Sequence, residues 1–479
     1  MSILVIDVGT SSLRAAVVGE GGAISAIIRA PIEVSRPAPG LVEFDAEAVA
    51  TAAIATARTV IERAGPVAGV GVGAQRASAM IWRRSDGEPL APAISWQDVR
   101  SAGRCLALQS KGLRLSPNQS ATKFADLLDR FNPARDQDLC LGTVDSYLVS
   151  ALTRSGIHVT DASNAAVTGL VRLDASDWDD AVLEELRIPR TMLPKIVDSI
   201  GVLGEATALP GAPPIGGLLG DQQASLIGQG CLGPNEAKAT FGTGAMFDCV
   251  TESRPAFPVR GAHGSFPIVA WRVAGRLTWG IEAAMLSAGS CVDWIATSLG
   301  IVASPAETDT LASSVRDSGG VFFVPALDGT GAPLWDFGAR GAFVGLSQST
   351  TRAEVVRAVL EGIAHAGADL LEAAEADGDL RIDALHVDGG MSANRTFLQL
   401  VADASQRTVV PSPIAEATLL GAAFAAGSAT GVWSSLQAAA GTIRAQAAIE
   451  PARHLDRERW FDARARALKM VPALSAVSF

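Results

Sequence analysis

Ile3-Leu4-Val5-Ile6-Asp7-Val8-Gly9-Thr10-Ser11-Ser12-Leu13-Arg14-Ala15-Ala16-Val17-Val18 is the stretch on which the reading of this chain turns. An apolar, β-branched run ends on an acid, a short Gly-Thr-Ser turn follows, and a second apolar run resumes at Arg14. Because Arg14 to Val18 reads as a strand and not a helix, the turn is neither a Walker loop nor a dinucleotide-binding fingerprint. Its backbone N–H groups and hydroxyls can still face phosphate oxygens, since glycine admits an anion without a Cβ in the way. Asp7 can hold Mg²⁺ directly or through water. Arg14 can reach the same anion or lie in solvent. Alone, the stretch reads equally well as a simple hairpin.

Outward from it, Ala23 to Arg29 reads as a third strand, Asp45 precedes an Ala-rich helical stretch to Ala64, and Val67 to Val72 is strand-like again. Three antiparallel strands feeding a helix and a further strand make an α/β pattern. The same grammar restarts later. Ala239 to Val250 and Ile268 to Gly280 read as strands around Gly turns, and Glu282 to Leu299 is predicted as a helix. Glu354 to Glu375 is a helix with Val355, Val359 and Ile363 on one stripe and Val356, Leu360 and Leu370 beside it. Leu385 to Val387 is a strand, and Phe397 to Ala404 a helix. Two halves that each open on strands around such a turn point to two related domains, 1–232 and 233–479, facing one cleft.

At 479 residues the chain exceeds one compact core. A net charge of −11, with no dense basic run, argues against a nucleic-acid surface. The first residues enter a strand without a leader pattern, and residues 415–430 are broken by Glu416, Thr418 and Ser428, so a cytoplasmic protein with no membrane span is expected. The five cysteines lack Cys-x-x-Cys spacing and read as small buried hydrophobes; the five histidines are dispersed and read as structural.

Two further stretches carry chemistry. Gly220-Asp221-Gln222-Gln223 sets a carboxylate upstream of Phe241-Gly242-Thr243-Gly244, a small-residue turn able to cradle phosphate. An acid on the far side of such a cleft can take the proton of a hydroxyl attacking phosphorus. Asp388-Gly389-Gly390, followed by Ser392, Ala393 and Asn394, is a strand-to-helix turn whose glycines admit a flat ring or a phosphate. Each tripeptide alone reads more readily as an ordinary turn. Three together are harder to attribute to chance.

Gly341-Ala342-Phe343-Val344-Gly345-Leu346, then Glu354-Val355 and Ala358-Val359-Leu360-Glu361, fit a known signature, and with Gly142 to Asp145, His158 to Asp161, Val324 to Ala326 and Gly331 to Pro333 they carry a resemblance. The chain resembles the FGGY carbohydrate kinases from residue 3 to about 430, and is most similar within them to the glycerol kinases. The resemblance implies a two-domain actin-like ATPase (ribonuclease H-like) α/β fold, ATP with Mg²⁺ in the cleft, and γ-phosphoryl transfer to a primary hydroxyl. It implies Asp221 as catalytic base and Asp7 as the metal partner. Thr10, Ser11, Ser12, Arg14, Thr243 and Gly244 then lie by the phosphates, and Gly289, Asp293, Gly389, Gly390 and Asn394 line the nucleotide pocket. Polyol contacts fall on Arg76, Ala77, Trp96, Asn118, Asp221 and Gln222. Family members also form homodimers or homotetramers.

The departures concern the substrate. Where glycerol kinases read Asn-Gln-Arg-Glu, this chain has Ala74-Gln75-Arg76-Ala77, and Asn118 replaces a Tyr ahead of Ser120-Ala121-Thr122-Lys123. Asp126 stands in place of a signature Trp, and Met246 in place of an aromatic. Unpaired polar groups in a substrate pocket change discrimination by as much as about 10⁴. A four- or five-carbon polyol or ketose is therefore the alternative to glycerol, and a non-catalytic actin-like ATP-binding or sugar-sensing module the alternative from another class.

Overall fold

The computed structural model describes residues 1–136, 138–414, 416–444 and 446–477. The opening stretch folds as β1 (Ser2–Val8) and β2 (Ser12–Gly19), antiparallel, with Asp7 opposite Arg14. β3 (Ile24–Pro31) extends the meander. Asp45 then caps α1 (Ala46–Ala64), its carboxylate accepting from the Ala48 N–H. The helix turns Val49, Ala53, Val60 and Ile61 inward, and its crossover brings β4 (Gly69–Ala74) parallel to β1. β5 (Ile200–Glu205) and β6 (Pro214–Gly220) complete the order β3-β2-β1-β4-β6-β5, and β6 ends in α2 (Asp221–Gly228).

The second half repeats this plan. β7 (Ala237–Phe241), β8 (Ala245–Thr251), β9 (Phe266–Val273) and β10 (Arg276–Met285) form its antiparallel part. α3 (Gly289–Thr297) and α4 (Arg352–Gly378) follow, and α4 opens on a capping box between Thr351 and Glu354. β11 (Ala384–Asp388), α5 (Arg395–Ser405) and β12 (Thr408–Pro411) give the order β9-β10-β8-β7-β11-β12. Ile200 opposite Val273 joins the halves into one twelve-stranded sheet.

One element departs from the order of the chain. α6 (Ala417–Thr430), late in the sequence, lies in the core of the first half, with Leu419, Leu420 and Phe424 among Ile3, Val5 and Leu219. It crosses α2 with backbones nearly touching. A Cβ on Gly421 would sit 1.7 Å from the Ala224 carbonyl oxygen, and one on Gly228 would sit 1.9 Å from that of Ala417. Only glycine permits this approach.

One expectation is overturned. Glu282 to Met285 is not helix but the end of β10, and the following helix runs only from Gly289 to Thr297. The Ala-rich run has helical propensity, yet β8 pairs with it residue for residue, Asp248 opposite Glu282 and Ala245 opposite Met285. Tertiary pairing overrides a weak local preference. The five cysteines are buried and free, and His365, stacked on Trp460 at 5.1 Å, is pushed down to about 3 by burial. Among the described residues no helix is long and apolar enough to cross a membrane.

Candidate active site

The β1–β2 turn is the first wall of the site. Gly9 N–H donates to the Ser12 carbonyl at 3.1 Å and Gln75 Nε2 to the Gly9 carbonyl at 3.0 Å, which fixes the loop from both sides. Thr10 Oγ1 accepts from Trp96 Nε1 at 2.9 Å, Ser11 is exposed, and Ser12 begins β2. Trp96 thus commits its N–H to the turn. Asp7 is buried, with Oδ2 2.7 Å from Arg14 Nη2 and Oδ1 lacking a hydrogen-bond partner among the described residues. Arg14 does not lie in solvent; it turns inward and also pairs with Glu416, as does Arg29.

Burial pushes the Asp7 carboxyl up to about 6, Arg14 opposes the shift, and the Asp221 and Glu416 charges add to it. The group therefore stabilises the fold most below the unfolded value near 4, and that contribution disappears as pH rises through about 6. At neutral pH the ionised acid costs stability, as retained active-site charges do. Asp7→Asn is expected to raise Tm at pH 7.5 by about 2–4 °C while turnover falls below detection. A lowered Tm in calorimetry would count against this electrostatic account.

The second wall comes from the other half. Thr243 and Gly244 form the β7–β8 turn, where Gly242 N–H reaches the Gly244 carbonyl at 2.9 Å. Gly289 N–H donates to the Gly242 carbonyl at 2.8 Å, so the start of α3 rests on this turn. Gly389, at φ +88°, lies so close that a Cβ would be 2.4 Å from the Phe241 carbonyl oxygen, while Gly390 faces open space. Asn394 is committed as a cap: Oδ1 accepts from Phe397 N–H at 2.8 Å and Nδ2 donates to Thr308 at 3.1 Å. Asp293 is exposed on α3.

Between the walls, Asp221 occupies the first turn of α2, its Oδ1 accepting from the Gln222 N–H at 2.8 Å. Arg76 Nε lies 3.5 Å from that oxygen, and its Nη2 is 2.7 Å from Glu282 on β10. Burial pushes the Glu282 carboxyl up to about 7, against the pull of Arg76 and with the help of Asp248. Ala77 adopts φ +60°, a backbone shape that suits glycine better. Asn118 turns its amide to the Trp96 carbonyl at 3.0 Å. Lys123, fully buried, donates to the Ala77 and Asn118 carbonyls at 3.1 and 3.0 Å, and burial pushes its ammonium down to about 7. It thus ties together positions 77 and 118.

The structure brings the Gly9 turn, Asp7, Arg76, Asp221 and Gln222 together at the ends of β1, β4 and β6, whereas Asp293 is exposed on α3 and Asn394 caps α5 in the second half. Sequence reasoning missed Lys238, Asp248, Glu282 and Glu416. A signal existed for one pair: with the turn centred on Thr243, hairpin arithmetic sets Lys238 opposite Asp248, and they ion-pair at 2.7 Å, both fully buried. No cluster of three acidic, His or Cys side chains with metal-holding geometry occurs among the described residues.

Comparison with known proteins agrees with this arrangement. Residues 2–228 match the N-terminal domain of the FGGY family of carbohydrate kinases and residues 237–430 its C-terminal domain. A glycerol kinase of Trichlorobacter lovleyi is 40% identical over 96% of both chains, and glycerol kinase 2 of Thermotoga maritima 37% identical over 97% of this chain and 98% of that one. The crystal structure of Plasmodium falciparum glycerol kinase with ADP superposes with a TM-score of 0.89 at 26% identity, covering 100% of this chain and 99% of that one. A xylulose kinase of Lactobacillus acidophilus, with TM-score 0.85 at 21% identity over 99% of this chain and 98% of that one, shares the fold. With both family domains matched over residues 2–228 and 237–430 and relatives 37–40% identical along nearly its whole length, the chain belongs to the FGGY family of carbohydrate kinases.

Proposed function

We propose that this chain is an ATP-dependent kinase of a small polyol, in the manner of the glycerol kinases it is similar to. One observation carries the reading: β1, β4 and β6 run parallel side by side, so Asp7 near the end of β1 and Asp221 directly after β6 come to the same edge of the sheet, beside the Gly9 turn. Asp221 takes the proton of the attacking primary hydroxyl. Arg76 holds the acceptor and orients that carboxylate. Thr10, Ser11 and Ser12 receive phosphate oxygens from one half, and Thr243 and Gly244 from the other. Arg14 keeps Asp7 in place. Gly289, Gly389 and Gly390 border the base and ribose.

The orphaned Oδ1 of Asp7 suits a hard cation, and Mg²⁺ bound there supplies charge neutralisation for the transferring phosphoryl group. A second reading, a four- or five-carbon polyol or ketose as acceptor, is favoured by Ala77 and Asn118, neither of which supplies a carboxylate or a phenol to a substrate hydroxyl. A non-catalytic module is disfavoured, because it has no use for Asp221 or for the Arg76–Glu282 pair.

The test is coupled measurement of ADP release with glycerol, dihydroxyacetone, erythritol, xylitol and ribulose. Stimulation at least about 100-fold above the water background is expected for one or more acceptors. If erythritol or a pentitol is preferred over glycerol, the second reading stands. Absence of stimulation by all five overturns the kinase reading.

A further inference from the structure

We propose that Lys238 is a positioning residue that fixes the side-chain amide of Gln222, so that the acceptor meets an N–H donor there and must offer it a lone-pair oxygen. The inference rests on the kinase reading and adds to it a requirement on the acceptor.

Lys238 stands on β7 of the second half, with no exposed surface. Three oxygens surround its Nζ: Gln222 Oε1 at 2.5 Å, Thr240 Oγ1 at 3.0 Å and Asp248 Oδ2 at 2.7 Å. An ammonium has only donors, so the atom of Gln222 facing it has to be the carbonyl oxygen. The NH₂ group is left over, and among the described residues it makes no hydrogen bond. Gln222 is half-buried and directly follows Asp221 in the first turn of α2. Two neighbouring side chains thus have opposite polarity: Asp221 accepts a proton, and Gln222 donates a hydrogen bond.

The surroundings hold this arrangement firmly. Asp248 stands opposite both Lys238 and Glu282 in the sheet, and Glu282 pairs with Arg76, which reaches back to Asp221. The ring Asp221–Arg76–Glu282–Asp248–Lys238–Gln222 closes on α2, and the links Arg76–Glu282 and Gln222–Lys238 each cross between the halves. Separation of the halves would release the amide. An acceptor that suits this polarity carries, near its primary carbinol, a second oxygen with a free lone pair, as a vicinal hydroxyl or a ketone does.

The test compares steady-state kinetics of three variants with the wild type, using the panel acceptor of highest turnover. Gln222→Glu keeps an oxygen for Lys238 but turns a second oxygen to the acceptor; its KM for the acceptor is expected to rise about 100-fold, with KM for ATP within about twofold. Lys238→Met frees the amide and is expected to raise acceptor KM about tenfold. Since that change leaves Asp248 buried and unpaired, Lys238→Met combined with Asp248→Leu removes both charges and preserves the fold, with the same expected rise. An acceptor KM within threefold of wild type in Gln222→Glu, or in the folded double variant, overturns the proposal, as does an equal rise in both KM values. Failure of the kinase reading would look different: the wild type itself would release no acceptor-dependent ADP.

Discussion

Asp221→Asn is expected to lower turnover by about 10³–10⁴ while ATP affinity stays within about twofold. The substitution is nearly isosteric. Asn keeps an oxygen for the Gln222 N–H that now meets Oδ1 at 2.8 Å, so the first turn of α2 retains its shape. What disappears is the capacity to accept a proton from the attacking hydroxyl. The phosphate turns lie on β1–β2 and β7–β8, and none depends on the Asp221 side chain for its hydrogen bonds. Loss of the like charge should also let the Asp7 carboxyl titrate lower, since Asp221 is one of the groups holding it up. Single-turnover transfer and calorimetric ATP titration separate the two effects. Turnover within tenfold of wild type would remove Asp221 from the role of base.

Gly421→Leu is expected to produce the largest loss of stability of any single change in the chain, more than about 3 kcal/mol. The obstacle is backbone: the first added carbon would lie 1.7 Å from the Ala224 carbonyl oxygen, and no rotamer relieves that contact. α6 and α2 would have to part. α6 also meets β4, where a Cβ on Gly71 would come within 2.2 Å of the Ala422 carbonyl, so the helix cannot slide away without disturbing the sheet. Leu419, Leu420 and Phe424 would leave their places among Ile3, Val5 and Leu219. Gly103→Ala is the control, a helical position where nothing lies within 4 Å of an added Cβ; it should leave Tm unchanged or slightly raised. Thermal melts of the two variants decide the matter, and a Tm for Gly421→Leu within a degree of wild type would refute the close-crossing account.

Much of this arrangement was legible because local rules and the fold agree. Apolar alternation around Gly9 and around Gly242 to Gly244 marks two hairpins, and Asp45 marks the start of α1. Glu282 was misread because its Ala-rich neighbours favour a helix in isolation, while the decisive partners, Asp248 on β8 and Arg76 after β4, are distant in sequence. The same distance hid α6: nothing in Ala417 to Thr430 records that its core partners are Ile3 and Leu219. Its low polarity and repeated small residues mark a closely packed helix, not its address. The polarity of Gln222 was out of reach, since it depends on which atom of an amide faces a lysine in the other half.

The repeated strand order has a consequence for direction. The strand order β3-β2-β1-β4-β6 of the first half is matched by β10-β8-β7-β11-β12 in the second, so the β1–β2 turn and the β7–β8 turn hold corresponding places in the two halves. Left symmetric, such a pair could not tell donor from acceptor. The strand leading into the first turn carries Asp7 just before its last residue, and the one leading into the second carries Thr240 at that place. After β6 the first half supplies Asp221, whereas after β12 the second half supplies Glu416, drawn away into the Arg14 and Arg29 pairs. A duplicated scaffold has been made polar: Asp7 and Asp221 both stand on the first half, which gives the transfer proposed above a direction.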